Sequence, residues 1–250
     1  MVMPLFMPLT IQFPSDSNGF ICQAWQGYLA ERPQIIYCQV CFNANKYCDD
    51  LFVQLDINFP ERLINAVKKR RAEYLAGRYC VQQVLSTLGM KNIYVASDVD
   101  RMPVWPLGIA GSLSHSKRYA IALVASAVAT RFYLGVDTET SVSRKESTGT
   151  EMVLNMDELR LLKQCGLPFE LAFTVAFSMK ESLYKALYPE IRRFFGFECA
   201  SITILSIATG TVTLTLMESL SDVWQIGKTI CGRFTINYPE VTTVIVMTGR

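Results

Sequence analysis

The chain has 250 residues, with 24 Lys+Arg against 22 Asp+Glu and a formal charge of +2. Half of the residues are hydrophobic and 18% are charged, which excludes a disordered or collagen-like chain and suits one large domain or two small ones. So small a basic excess argues against general nucleic-acid binding.

Met1–Pro14 is apolar but carries three prolines and no Lys or Arg, so it does not read as a signal peptide. Residues 18–60 read as short strands and turns, with Ile35–Phe42 the clearest strand. Pro60-Glu61 opens a helical pattern that runs to Leu88. Its apolar positions Leu63, Val67, Tyr74, Val81, Leu85 and Leu88 follow a 3.6-residue repeat, and Gly89 suits a C-terminal cap. A loop with Pro103 and Pro106 follows, then one or two strands over Gly111–Val128. Phe132–Glu139 is another strand, and the polar Ser141–Thr150 is a loop. Asp157–Cys165 is helical, ended by Gly166 and Pro168. Phe169–Leu187 is a second long helix, stopped before Pro189. Ser201–Ile207, Thr211–Met217 and Val241–Met247 alternate as strands.

Each half thus has a long helix and β-rich sequence. The expected fold is α+β, two similar subdomains over residues 1–130 and 131–250, with a ligand cleft between them. The longest apolar run, Tyr119–Thr130, is short of the ~20 residues a membrane helix needs. A soluble, cytoplasmic protein with no membrane partner is expected.

The eight cysteines lie at irregular spacings among apolar residues and read as reduced, buried thiols. Cys38-Gln-Val-Cys41 is the one CxxC. No second pair or histidine cluster accompanies it, so it reads as two packed thiols rather than a zinc or redox site.

Four groups could carry chemistry. Asp137 and Glu139 are i, i+2 on a strand, roughly 7 Å apart on one face, and form either a site for Mg²⁺ or Mn²⁺ or two solvated acids. Glu181 and Lys185 are i, i+4 on a helix and form either a surface pair or, with Lys180, charges that face a cleft. Ser114-His115 contains the chain's only histidine, which suits a phosphate contact or a hydrogen-bonded structural role. A hydrolase is disfavoured because no GxSxG elbow is present. Lys68-Lys69-Arg70-Arg71 and Arg78 form either a phosphate grip or a solvated basic turn. Arg71 and Arg78 share a helix face.

The strings Arg70-Arg-Ala-Glu-Tyr-Leu-Ala-Gly-Arg78, Pro103-Val-Trp-Pro106, Gly111-Ser-Leu-Ser-His115, Gly135-Val-Asp-Thr-Glu139 and Phe177-Ser-Met-Lys-Glu-Ser-Leu-Tyr-Lys-Ala-Leu-Tyr-Pro189 occur in this order. Together they resemble the 4′-phosphopantetheinyl transferases of the larger, surfactin-type class, within it the enterobactin synthase component D branch. The resemblance runs from about residue 60 to 200. It implies a single-chain pseudo-dimer that binds coenzyme A. A carrier-protein serine would attack the β-phosphate and release 3′,5′-ADP, for siderophore or nonribosomal peptide synthesis. It further implies Mg²⁺ at Asp137, Glu139 and Glu181, with Glu181 as general base and Lys185 stabilising the transition state. Lys180 and Lys185 would contact the pyrophosphate. Arg70, Arg78 and His115 would grip phosphates including the 3′-phosphate. Arg101 would lie near the adenine and Ser114 would donate to a phosphate. Thr138 stands where the family usually has Ile, and Phe177 where much of the class has Trp. Lys68–Arg71 would steer an acidic carrier. A monomer is expected. Two other classes stay open: a Mg²⁺-dependent phosphohydrolase or nuclease, and a non-catalytic module that binds coenzyme A or a carrier.

Overall fold

Strand β1 (Phe6–Gln12), β2 (Ile21–Leu29) and β3 (Arg32–Phe42) open the chain, before a one-turn helix α1 (Leu51–Gln54) and the long helix α2 (Lys68–Thr87). Strands β4 (Ile109–His115), β5 (Tyr119–Ser126) and β6 (Arg131–Thr140) follow. Next come helices α3 (Met156–Gln164) and α4 (Phe169–Ile191), then β7 (Ala200–Ser206), β8 (Thr211–Leu216), β9 (Thr229–Asn237) and β10 (Glu240–Gly249). The structure is a computed structural model, and it describes residues 4–12, 18–141 and 150–249. Most of the expected loop at Ser141–Thr150 and the ends of the Met1–Pro14 segment lie outside the described residues.

The chain divides into two compact units, one built mainly from Pro4–Phe132 and the other from Tyr133–Met247. In the first, an antiparallel sheet has the order β1-β2-β3-β5-β4. Helix α2 lays Ala72, Leu75, Ala76, Cys80 and Val84 against it, over Cys38, Val40, Ala120 and Ala122. In the second, the order is β6-β10-β9-β8-β7, with β10-β9-β8-β7 antiparallel. Helix α4 buries Val175, Ala176, Met179, Leu183 and Leu187 in a core with Val212, Leu214, Phe234, Val241 and Ile245.

Several boundaries differ from the sequence reading. Helix α2 begins at Lys68, not Pro60; residues 61–63 make only a 3₁₀ turn. The reason lies in Arg71, which donates to the carbonyls of Leu63 and Ala66, both at 3.0 Å, and of Ile64. A helix continuous with α2 would need those acceptors for its own N–H groups. Helix α4 runs through Pro189 to Ile191, past the stop expected at Leu187. Proline removes one N–H within the last turn, where the loss is small, and the buried Leu187 and Tyr188 hold that turn to the core.

Strands β1 and β9 were not expected. β1 is an edge strand, where Pro8 is tolerated beside a register shift. In β9, Gly232 interrupts the apolar pattern because Met179 lies over it: a Cβ there would come 2.3 Å from the Met179 sulfur. All eight cysteines are free thiols, as read, but Cys22, Cys48 and Cys231 are exposed rather than buried. Among the described residues, no helix is long and apolar enough to cross a membrane.

Candidate active site

The acids converge on one end of β6, in the unit built on Tyr133–Met247. Strand alternation sends Thr138 to one face, where its hydroxyl meets Thr242 Oγ1 at 3.2 Å. Asp137 and Glu139 take the other. Helix α4 crosses that face on a seam of small residues. Ser182 Oγ donates to the Thr243 carbonyl at 3.1 Å and contacts Thr243 Oγ1 at 2.7 Å. Thr243 Oγ1 donates to the Ser178 carbonyl at 2.8 Å. Gly135 lets β6 come under the helix, since a Cβ there would lie 1.8 Å from the Ser182 carbonyl oxygen. This seam sets the register of α4 on the sheet, and so places Glu181 and Lys185 against Asp137 and Glu139.

Lys185 Nζ donates to Asp137 Oδ1 at 2.7 Å, with the Asp137 side chain almost fully buried. Burial pushes the Glu139 carboxyl up to about 8. The charges of Asp137, Glu181 and Glu240 push the same way, and Lys185 opposes them. Burial also raises Glu181, with Lys185 pulling it down and Asp137 adding to the rise. These mutual effects show three carboxylates close enough to load one another with charge. Among the described residues, no three His, Cys, Asp or Glu side chains stand in ready metal-holding geometry. The donor set is nevertheless all carboxylate oxygen, which suits a hard divalent cation, and such a cation would offset both the burial and the neighbouring negative charge that keep Glu139 protonated.

Lys180 turns into the fold. The resemblance assigns it a pyrophosphate contact, yet its ammonium is buried and donates to Glu158 Oε1 at 2.7 Å, the Val153 carbonyl at 2.7 Å and the Phe197 carbonyl at 3.1 Å. An ammonium has three donors, and all three are used. Burial pulls Lys180 below the ordinary lysine range, against the pull of Glu158. Glu158, which the sequence reading passed over, is the hub. Its Oε2 accepts from Asn155 N at 2.8 Å, closing a capping box on α3, and its Oε1 accepts from Ile202 N at 2.8 Å. The signal was present in the sequence: Asn155 three residues before Glu158 is a helix-start pattern.

Beside Glu181 lies a cavity of about 310 Å³, walled by Leu183, Tyr184, Phe194, Phe195 and Phe197. It is mainly apolar and has Lys180 and Glu181 at its polar side.

The basic candidates lie in the other unit and do not form one cluster. Arg70 Nη1 is 2.8 Å from His115 Nε2. Arginine can only donate, so Nε2 accepts and the ring proton sits on Nδ1, which faces Glu73 Oε2 at 3.8 Å. Glu73 also neighbours Arg70 at 3.7 Å and Lys69 at 3.8 Å, and was missed in the sequence. Ser114 is buried next to His115 on β4.

Arg71 and Arg78 lie seven residues apart on α2 and so share a face, but they hold different partners. Arg71 pairs with Asp49 at 2.8 Å in addition to its three carbonyls. Arg78 is buried, donates to Ser97 Oγ at 2.7 Å and lies 4.9 Å over the Tyr74 ring. Its Nε and Nη1 are buried without hydrogen-bond partners, and its side chain lines a cavity of about 150 Å³ with Asp56, Asn58, Asn92 and Tyr94. Arg101 sits on an exposed turn at φ 66°, held by Asp98. Of the Lys68–Arg71 run, Lys68 and Lys69 alone face solvent fully.

Two family models match the chain in tandem: the 4′-phosphopantetheinyl transferase N-terminal domain over residues 59–125, and the 4′-phosphopantetheinyl transferase superfamily over residues 133–238. The chain is 40% identical over 149 residues to "Enterobactin synthase component D" of Salmonella typhi, covering 58% of this chain and 60% of that protein. It is 33% identical over 144 residues to "4′-phosphopantetheinyl transferase Npt" of Nocardia iowensis, covering 57% and 64%. It is 28% identical over 190 residues to "4′-phosphopantetheinyl transferase PptT" of Mycobacterium tuberculosis, covering 74% and 82%. The matched stretch thus spans about 60% of the length of the enterobactin synthase relatives.

Proposed function

Since the chain belongs to the 4′-phosphopantetheinyl transferase superfamily, we propose that it transfers the phosphopantetheine group of coenzyme A to a serine of an apo carrier protein and releases 3′,5′-ADP. The relatives named for enterobactin synthase support a carrier of siderophore or other nonribosomal peptide synthesis. The observation that carries the reading is the group Asp137, Glu139, Glu181 and Lys185, three loaded carboxylates with one ammonium.

Asp137, Glu139 and Glu181 would hold Mg²⁺ or Mn²⁺ through oxygen. The cation supplies charge neutralisation at a pyrophosphate. Glu181, raised by burial, is a stronger base than an exposed glutamate and removes the proton of the attacking serine hydroxyl, directly or through water. Lys185 exchanges part of its bond to Asp137 for the transferring phosphate and stabilises the charge that develops there. The apolar cavity beside Glu181 suits a slender, mostly apolar arm and keeps bulk water from the reacting hydroxyl. Arg70, Arg78 and His115 supply donors for anionic groups of the nucleotide, and Arg78 has two buried nitrogens, Nε and Nη1, whose N–H groups it can offer. Ser114 and Arg101 stand as lesser contacts. The protein works as a monomer.

Intact mass spectrometry of an apo peptidyl carrier domain with this protein, coenzyme A and Mg²⁺ tests the reading. The expected outcome is a phosphopantetheine adduct on the carrier serine, lost with EDTA and with Glu181→Ala. A folded protein that modifies no peptidyl, aryl or acyl carrier overturns it.

A further inference from the structure

We infer that Cys22 and Cys41 form a reversible intrachain disulfide site, closed by exchange with small-molecule disulfides. The CxxC motif splits on β3. Its two cysteines are three residues apart on a strand, so they face opposite sides of the sheet. Cys38 points inward and is fully buried; it meets the thiol of Cys80 on α2. Cys41 points outward and meets the thiol of Cys22 on the neighbouring strand β2. The motif thus contributes one member to each of two separate thiol pairs.

The register explains the outer pair. Ile21 is opposite Phe42 and Gln23 is opposite Cys41, so Cys22 is the extra residue of a bulge. A bulge leaves its extra residue unpaired, bends the strand and re-aims that side chain. The register sets Cys22 next in the chain to Gln23, whose Cα is the one paired with Cys41, and paired antiparallel Cα atoms lie ~4.5–5.5 Å apart, of the order a disulfide spans. Access separates the two pairs. Cys22 is exposed and Cys41 half-buried, whereas Cys38 and Cys80 both have no exposed surface. Burial and the neighbouring Cys41 thiol raise Cys22 above the ordinary thiol range, and Arg118 opposes them in part. The inner pair has proximity without access, and serves as an internal control.

The chemistry closes without any further oxidant. The Cys22 thiolate attacks one sulfur of oxidised glutathione, forming a mixed disulfide and expelling one glutathione thiolate. The Cys41 thiolate then attacks the Cys22 sulfur and expels the second. The two protons lost by the protein thiols pass to the two glutathiones. The inference does not depend on the proposed transferase activity.

The test is peptide mapping of the folded full chain after equilibration with oxidised glutathione and acid quenching. The expected result is a Cys22–Cys41 linked peptide, reversed by dithiothreitol and not enriched when oxidation is done in urea. No Cys38–Cys80 link accompanies it. Cys41→Ser should trap Cys22 as a stable glutathione adduct, and Cys22→Ala should lose the linked peptide. A wild-type chain that accumulates the Cys22 adduct without closing overturns the inference. So does modification of the exposed Cys48 and Cys231 while Cys22 stays unreacted.

Discussion

Replacing Gly135 by alanine should damage both stability and site, for one geometric reason. The new Cβ would lie 1.8 Å from the Ser182 carbonyl oxygen, 2.8 Å from its carbon and 3.1 Å from Ala186 Cβ. Ordinary contact begins at 3.4 Å, so β6 and α4 must part by about 1.6 Å along that line. The same parting stretches the 2.7 Å bond between Lys185 and Asp137 to about 4.3 Å and breaks direct contact. Overpacking costs ~1–3 kcal/mol where side chains can yield. Here the obstacle is helix backbone, so the upper end of that range is expected. Gly77→Ala is the matched control: its Cβ would stand 3.4 Å from Leu113 Cδ1, in ordinary contact, within α2. Alanine there should stabilise by ~0.5–1 kcal/mol through helix propensity. Urea unfolding measures both changes, and carrier loading at saturating coenzyme A measures the site. Gly135→Ala within ~0.5 kcal/mol of the parent would refute the close approach of strand and helix. Lost stability with unchanged loading would refute its role in placing Lys185.

Two further predictions concern charge. Between pH 4.5 and about 8 the folded chain keeps a proton on Glu139 that the unfolded chain has released, so unfolding free energy should fall as pH rises through that window. Glu139→Gln should flatten that fall, and Mg²⁺ should stabilise the parent more at pH 8 than at pH 6; an equal slope in the variant sinks the argument. At the buried pair, Lys180→Met or Glu158→Gln alone should cost ~3–5 kcal/mol by stranding a buried charge or its partner, and the double variant Glu158→Gln/Lys180→Met less than the sum of the two. Strict additivity in a urea-unfolding cycle would contradict a direct 2.7 Å contact.

Much of the local structure was legible in the chain itself. The 3.6-residue repeats mark α2 and α4, and alternation marks β3 and β6. Alternation also puts Asp137 and Glu139 on one face with Thr138 on the other, because side-chain direction in a strand follows from backbone geometry alone. The family motifs lie at the same residues that the two matched models cover.

What the chain could not show is which polar groups meet across elements far apart in sequence. Lys180 and Lys185 are five residues apart on one helix, and the motif points both toward a pyrophosphate. Packing alone separates them: Lys180 turns into the core toward Glu158, and Lys185 toward Asp137 on β6. Likewise Arg71 and Arg78 share a helical repeat, yet one is drawn off by the carbonyls of residues 63–66 and the other is buried on Tyr74. The CxxC gives the same lesson, since its two thiols face opposite sides of one strand and find partners 19 residues or more away in the chain. Local periodicity sets the direction in which a side chain leaves the backbone. The partner it finds depends on strand register and on how closely small residues such as Gly135 and Ser182 let a helix approach a sheet, and those are properties of the tertiary structure.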